Sequence, residues 1–161
     1  MSEVRHPPQQ LEFQAVTDPL TGLLNRRGFH HAMEHTLLRT ERSEHALVLL
    51  YLDLDGFKRL NDALGHDAGD RVLRWVSEQM QACLRFYDIL GRMGGDEFTA
   101  LLALEFPEPA EKIAGKLIAQ ASVCSYVAGL EVMLVVCIGT AAFLASGVAF
   151  RGLLRAGVCA T

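Results

Sequence analysis

The chain has no excess of basic charge, no paired-cysteine motif, no internal repeat and no low-complexity segment. Each absence removes a class of function. Fifteen Lys and Arg stand against nineteen Asp and Glu, a formal net charge of −4 at pH 7. The electrostatic footprint of a general nucleic-acid binder is therefore missing, although a local phosphate site is compatible with that balance. Cys83, Cys124, Cys137 and Cys159 form no CxxC and keep no regular spacing. They read as buried thiols in a reducing compartment, not as a disulfide framework or a zinc site. Met1 to Gln10 are polar and carry Pro7-Pro8 without an apolar run, so no signal peptide is expected. What is present is apolar substance. Half of the 161 residues are hydrophobic and 21% are charged, which excludes a disordered chain and suits one domain with a core of ordinary size.

One stretch invites a membrane reading. Val132 to Phe150 carries no charge, and its length would span a bilayer as a helix. Its β-branched opening, Val132 to Ile138, and the breaks at Gly139-Thr140 and Ser146-Gly147 predict a buried strand followed by a loop instead.

Residues 1–17 read as a lead-in, with one or two helical turns over Gln9 to Val16 stopped by Asp18-Pro19, because the residue before proline avoids helical geometry. Asn25 is placed to cap a helix from about Arg26 to Glu44, with Phe29, Met33, Leu37 and Leu38 near one face. Ala46 to Leu54 predicts a buried strand. Phe57 to Leu64 and about Asp67 to Leu84 predict two helices meeting at Gly65. Ile89 to Met93 and Phe98 to Leu104 predict a hairpin through Gly94-Gly95. A helix over Glu108 to Ser122, a strand over Leu130 to Thr140 and a last helix over Phe150 to Ala160 complete the series. Strands mixed with helices around one sheet give an α/β or α+β sandwich.

The chemistry concentrates at Gly94-Gly95-Asp96-Glu97-Phe98. Glycines permit positive φ and close approach of a ligand to the backbone. Two acids directly after such a turn are costly to crowd unless a cation or proton is shared. Asp53 and Asp55 leave the end of an apolar strand, and carboxylates gathered at strand ends are the oxygen ligands Mg²⁺ takes, with phosphate and water completing its shell. Solvated surface acids on an ordinary turn are the alternative reading of the glycine pair alone.

These residues resemble the GGDEF domain, the diguanylate cyclase domain of bacteria. Gly94 to Phe98 is similar to its signature. Other blocks are similar in order and spacing: Asp18-Pro19-Leu20-Thr21-Gly22-Leu23-Leu24-Asn25-Arg26-Arg27, then Asp53-Leu54-Asp55-Gly56-Phe57-Lys58-Arg59-Leu60-Asn61-Asp62, then Gly65-His66-Asp67-Ala68-Gly69-Asp70, and the late pair Ile138-Gly139. The resemblance spans roughly residues 12–156, and the domain would occupy 18–161 after the lead-in. It implies a central, mainly antiparallel five-stranded sheet flanked by helices, related to nucleotide cyclases and polymerase palms.

It also implies a reaction: two GTP condense to cyclic di-GMP and two pyrophosphates in a face-to-face homodimer that depends on Mg²⁺ or Mn²⁺. By resemblance, Asp53, the Leu54 carbonyl and Asp96 hold the metal, and Glu97 is the second essential carboxylate. Arg92 is linked to catalysis, with an exposed strand charge as the alternative. Asn61 and Asp70 read guanine, Phe57 and Lys58 offer backbone amides to phosphate, and Gly94 and Gly95 lie along the nucleotide. Leu20, Phe57 and Leu73 wall the base, with core packing as their alternative. Arg85-Phe86-Tyr87-Asp88 has the RxxD form of the family's inhibitory product site, where the alternative is an arginine at a helix end paired with an acid. The family's closing Ala-Asp, Ala-Lys and Gly-Arg-Asn pattern is not matched here. Gly157 falls where aspartate is usual, and the phosphate-binding lysine and arginine have no counterpart. That departure leaves a second reading: a weak or inactive module that binds GTP or cyclic di-GMP and regulates a partner. The expected setting is cytoplasmic, within a longer protein carrying a sensor or receiver domain, itself free or membrane-anchored.

Overall fold

The computed structural model describes residues 16–40, 46–104, 112, 115, 116, 119, 125–127, 130–132, 135–143 and 149–154. Its elements run α1 (Arg26–Thr40), β1 (Ala46–Asp55), α2 (Phe57–Leu64), α3 (His66–Cys83), β2 (Ile89–Gly94), β3 (Glu97–Leu104), β4 (Ser125–Val127), β5 (Leu130–Val132), β6 (Val135–Phe143) and β7 (Ala149–Leu154). Five strands form one sheet in the order β2-β3-β1-β6-β7, every neighbouring pair antiparallel, while β4 and β5 pair separately.

β1 takes the centre because it is apolar on both faces. Val48, Leu50, Leu52 and Leu54 point to one side, where they meet Phe57 and Leu60 of α2, Val72, Val76 and Met80 of α3, and Phe98, Ala100 and Leu102 of β3. Leu47 and Leu49 point to the other side and pack with Leu101 and with Phe29 of α1. Each such buried side chain contributes roughly 1.5–3 kcal/mol of transfer free energy. Helices thus cover both faces, and the alternation stops where Asp53 and Asp55 emerge from the end of the central strand.

The predicted cap of α1 is present. The Asn25 side-chain oxygen accepts from the Gly28 amide at 2.9 Å, satisfying one of the amides that a helix start leaves unpaired. The hairpin and the two helices meeting at Gly65 also stand where the residues predict them.

Two elements differ. The expected strand over Leu130 to Thr140 is split: β5 ends at Val132 and turns back on β4, and β6 begins at Val135. A continuous apolar run carries no mark of where pairing changes partner. The expected helix over Phe150 to Ala160 begins instead as β7, in register with β6 from Phe143↔Ala149 to Ile138↔Leu154. Gly152 weakens any helix there, and the open edge of β6 offers the backbone a full ladder. The membrane reading falls with this arrangement, since Val135–Phe143 is a strand of the sheet. No helix among the described residues is long and apolar enough to cross a membrane. Of the expected turns over Gln9 to Val16 only Val16 is described, and it is helical; the rest, and the last part of the expected closing helix, lie outside the described residues. Of the expected helix over Glu108 to Ser122, Lys112, Gly115, Lys116 and Ala119 are described and helical.

Candidate active site

The antiparallel ladder brings the two acidic clusters together. Asp53, near the end of β1, lies directly opposite Glu97, the first residue of β3. The Leu54 amide donates to the Asp96 carbonyl at 3.3 Å, drawing the turn over the strand end. Gly94 and Gly95 bend the chain at φ 145° and 53°, values that side chains rarely adopt, and a register shift falls between Arg92 and Gly94. Partial burial of its carboxyl, then the charges of Asp96, Glu97 and Asp55, push the Asp53 pKa above the ordinary aspartate value. A bound cation would relieve that crowding.

Among the described residues, no group of three or more His, Cys, Asp or Glu side chains is arranged to hold a metal ion. The donor set nevertheless suits a hard divalent cation. Asp53 and Asp96 supply two carboxylates, the number Mg²⁺ commonly takes from a protein, leaving the rest of its shell to carbonyl, phosphate and water.

Directly after Asp55, Gly56 adopts φ 83° and opens α2 without a side-chain cap. The first amides of α2, at Phe57 and Lys58, follow Asp55 closely in the chain, and the opening amides of a helix suit an anion. Asn61 follows one turn on. Its side-chain oxygen is buried and has no hydrogen-bond partner among the described residues, a condition that suits an atom receiving a donor from a ligand. Gly69 of α3 permits this placement, because a Cβ at that position would collide with the Asn61 side-chain oxygen and stand 3.2 Å from the Phe57 ring. Asp70 is half-buried beside it on α3. Leu73 and Phe57 belong to the core, and Leu20 packs against it part-buried.

Arg92 does not stand as a free strand charge. Its Nε and Nη2 donate to the Gly95 carbonyl at 2.9 and 2.8 Å, and its Nη1 donates to Asp18 Oδ1 and Oδ2 at 3.0 and 3.1 Å. The Arg92 amide also donates to the Leu24 carbonyl at 2.8 Å. Asp18 further accepts from the Thr21 amide and hydroxyl at 2.8 and 2.7 Å. Burial alone would raise the Asp18 pKa, but the bonds from Thr21 and Arg92 outweigh it and hold the carboxyl below its ordinary value. Asp18 and Gly69 are the contributors that the residue-level reading passed over. Asp-x-x-Thr is a side-chain turn pattern, and a glycine inside a helix marks a close approach.

The RxxD segment is a turn. Asp88 accepts from the Arg85 amide at 2.8 Å and its own amide donates to the Arg85 carbonyl at 3.0 Å. The Arg85 guanidinium donates to the Tyr87 hydroxyl at 3.0 Å, and Phe86 is fully exposed. The turn borders an open cleft of about 600 Å³ that also touches Thr17, Leu24 and Gln81. This site is separate from the acidic turn.

Comparison with known proteins shows what the chain is similar to. The family model described as "Diguanylate cyclase, GGDEF domain" matches residues 15–156. Diguanylate cyclase DgcP of Pseudomonas aeruginosa is 39% identical over 113 residues, covering 70% of this chain and 17% of that protein. Cyclic di-GMP phosphodiesterase NbdA of the same organism is 38% identical over 117 residues, covering 73% of this chain and 15% of that protein. A sensory box/GGDEF family protein from Caulobacter crescentus CB15 superposes with a TM-score of 0.76 at 32% identity, covering 80% of this chain and 83% of that one. The chain thus spans less than a fifth of either curated relative. With the signature turn facing Asp53 and the family match running over most of its length, the chain belongs to the GGDEF domain family of diguanylate cyclases.

Proposed function

We propose that this domain condenses two GTP into cyclic di-GMP and two pyrophosphates. The observation that supports it most is the whole acidic turn, Asp96 and Glu97, set against Asp53 across the ladder, with Asn61 on the helix that follows Asp55, its buried side-chain oxygen unpartnered among the described residues. In this reading Asn61 and Asp70 orient guanine. The carboxylate accepts from N1–H and the exocyclic amine, and the amide meets the remaining edge atoms. Leu20, Phe57 and Leu73 set the apolar boundary of that pocket. The Phe57 and Lys58 amides receive phosphate oxygens, and the Gly94 and Gly95 backbone lies along the nucleotide without a side chain in the way.

Asp53, the Leu54 carbonyl and Asp96 would hold Mg²⁺ or Mn²⁺, which when bound neutralises triphosphate charge and makes the attacking hydroxyl more acidic. Glu97 holds that hydroxyl or takes its proton. The 3′-oxygen of one GTP attacks the α-phosphorus of the other, the bond to pyrophosphate breaks, and the same exchange in the opposite direction closes the ring. Such transfer needs positioning and charge neutralisation more than covalent help from the protein. One domain holds one GTP, so two domains must meet face to face. Arg92 acts in this reading as a positioning residue that fixes the turn. Arg85 and Asp88 form an inhibitory product site, the guanidinium stacking on guanine and forking onto phosphate.

A dimer mechanism has a direct test. Turnover per mole of protein should rise with protein concentration and plateau, and ATP should not replace GTP. A rate independent of concentration would remove the face-to-face requirement, and equal use of ATP would remove the roles of Asn61 and Asp70.

A second reading has its own support. One relative of nearly the same identity is named a phosphodiesterase. In that setting the domain binds GTP or cyclic di-GMP and regulates a partner domain of a longer protein. Nucleotide binding without product would favour it.

A further inference from the structure

Histidine is concentrated on α1, which carries His30, His31 and His35 within six residues. His30 faces Glu34, with Nδ1 3.4 Å from Oε1. His31 and His35 lie one turn apart on another strip of the helix, both exposed, with ring centres 4.7 Å apart and ring planes at 72°. Two imidazoles bound to one ion through nitrogens at ~2.0–2.1 Å, with an angle between square and tetrahedral, have ring centres about 5 Å apart. The rings already stand at that separation, and exposure leaves them free to turn their nitrogens toward a shared point. Nothing in the nucleotide chemistry uses them, since they belong to neither the acidic turn nor the RxxD cleft.

We propose that His31 and His35 form a two-imidazole chelate for a divalent transition metal of the zinc, nickel or copper class, with water completing the shell. Imidazole selects these ions, while Mg²⁺ is left to oxygen ligands. Arg27 and Arg39 lie one turn beyond either histidine. Both are exposed, so solvent screens their repulsion of the ion. The chelate clips one turn of the helix whose first residues are capped by Asn25 beside the Leu24–Arg92 junction. Ligation at residues one turn apart favours the helical state, and therefore stabilises the folded domain through mass action.

The test is calorimetric titration of the untagged chain with Ni²⁺ in excess Mg²⁺, which occupies the oxygen sites. One equivalent should bind to the wild type and to His30→Gln. The affinity should fall about tenfold or more in His31→Gln and in His35→Gln, because each leaves a single imidazole. Glutamine is a good helix former on an exposed face, so melting without metal should be unchanged. Ni²⁺ should raise the melting temperature of the wild type and of His30→Gln but not of the other two. Equal affinity in all four proteins, or no binding by the wild type, would overturn the proposal.

Discussion

The Arg92 guanidinium grips both carboxylate oxygens of Asp18, 74 residues away in sequence, through Nη1, while its other two nitrogens donate to the Gly95 carbonyl. The segment leading into the first helix is thereby tied to the signature turn. Both ends of the pair are largely shielded, with side-chain exposures of 12% and 17%. This side chain works beside the backbone bond from the Arg92 amide to the Leu24 carbonyl, which joins the same two segments.

Arg92→Ala should therefore cost about 2–3 kcal/mol in urea unfolding, because it removes charge-assisted bonds and leaves Asp18 without its cation. Arg92→Lys should recover only part, since an ammonium cannot serve Asp18 and Gly95 with the same fork. The pH dependence has a definite sign. A carboxyl whose folded pKa lies below its unfolded value stabilises the fold at pH above the unfolded value, and that contribution is lost as pH falls through the folded value. The stability gap between wild type and Asp18→Asn should thus be full near neutrality and close in acid below the ordinary aspartate range.

Asp53 predicts the reverse. Its pKa is raised by burial and by the charges of Asp96, Glu97 and Asp55, so its ionised form is held at a cost in the folded state. That cost appears as pH rises through the window just above the ordinary aspartate value and persists at neutrality. Asp53→Asn should be at least as stable as the wild type at pH 7, with the difference shrinking in acid, while GTP turnover is lost. A melting series against pH, run without divalent ions, reads the first effect. A destabilised Asp53→Asn at neutral pH would contradict it.

Gly69→Ala should push the Asn61 side chain out of its place, since the new methyl meets the Asn61 oxygen and the Phe57 ring. Overpacking of this kind costs about 1–3 kcal/mol. Asn61→Ala, by contrast, removes a buried oxygen that has no partner among the described residues and should change stability little. If Asn61 reads guanine as proposed, both should weaken GTP binding about tenfold or more, the equivalent of one or two hydrogen bonds to the base. Fluorescent GTP binding beside thermal melting separates the two variants.

At the RxxD turn the two letters do different work. Asp88→Ala removes the acceptor for the Arg85 amide and should cost about 1 kcal/mol of stability. Arg85→Ala, with its side chain exposed, should melt within about 0.5 kcal/mol of wild type. Calorimetry should show weaker cyclic di-GMP binding in both. Unchanged binding in Arg85→Ala would remove the inhibitory-site reading.

Much of this was legible before the fold. β1 announces itself by continuous apolarity ending in Asp53 and Asp55, the hairpin by Gly94-Gly95, and the cap of α1 by Asn25. These are local signals, decided by residues within a turn of one another. The Asp18–Arg92 bond was not legible, because no periodicity links side chains 74 residues apart, and what brings them together is the docking of Leu24 against Gly91 and Arg92 of β2. The close seat of Asn61 against Gly69 depends on how two helices cross. The strand at Ala149–Leu154 depends on the free edge of β6, which a segment read alone does not display.

In the proposed function the acidic turn drives condensation of GTP. That role is tested most directly by comparing the wild type with Asp96→Asn at high protein concentration, with GTP and Mg²⁺, following cyclic di-GMP and pyrophosphate together. The wild type should give one cyclic di-GMP for every two pyrophosphates, and a folded Asp96→Asn neither product. Equal turnover by the two proteins, or no product from a wild type that binds GTP, would contradict it.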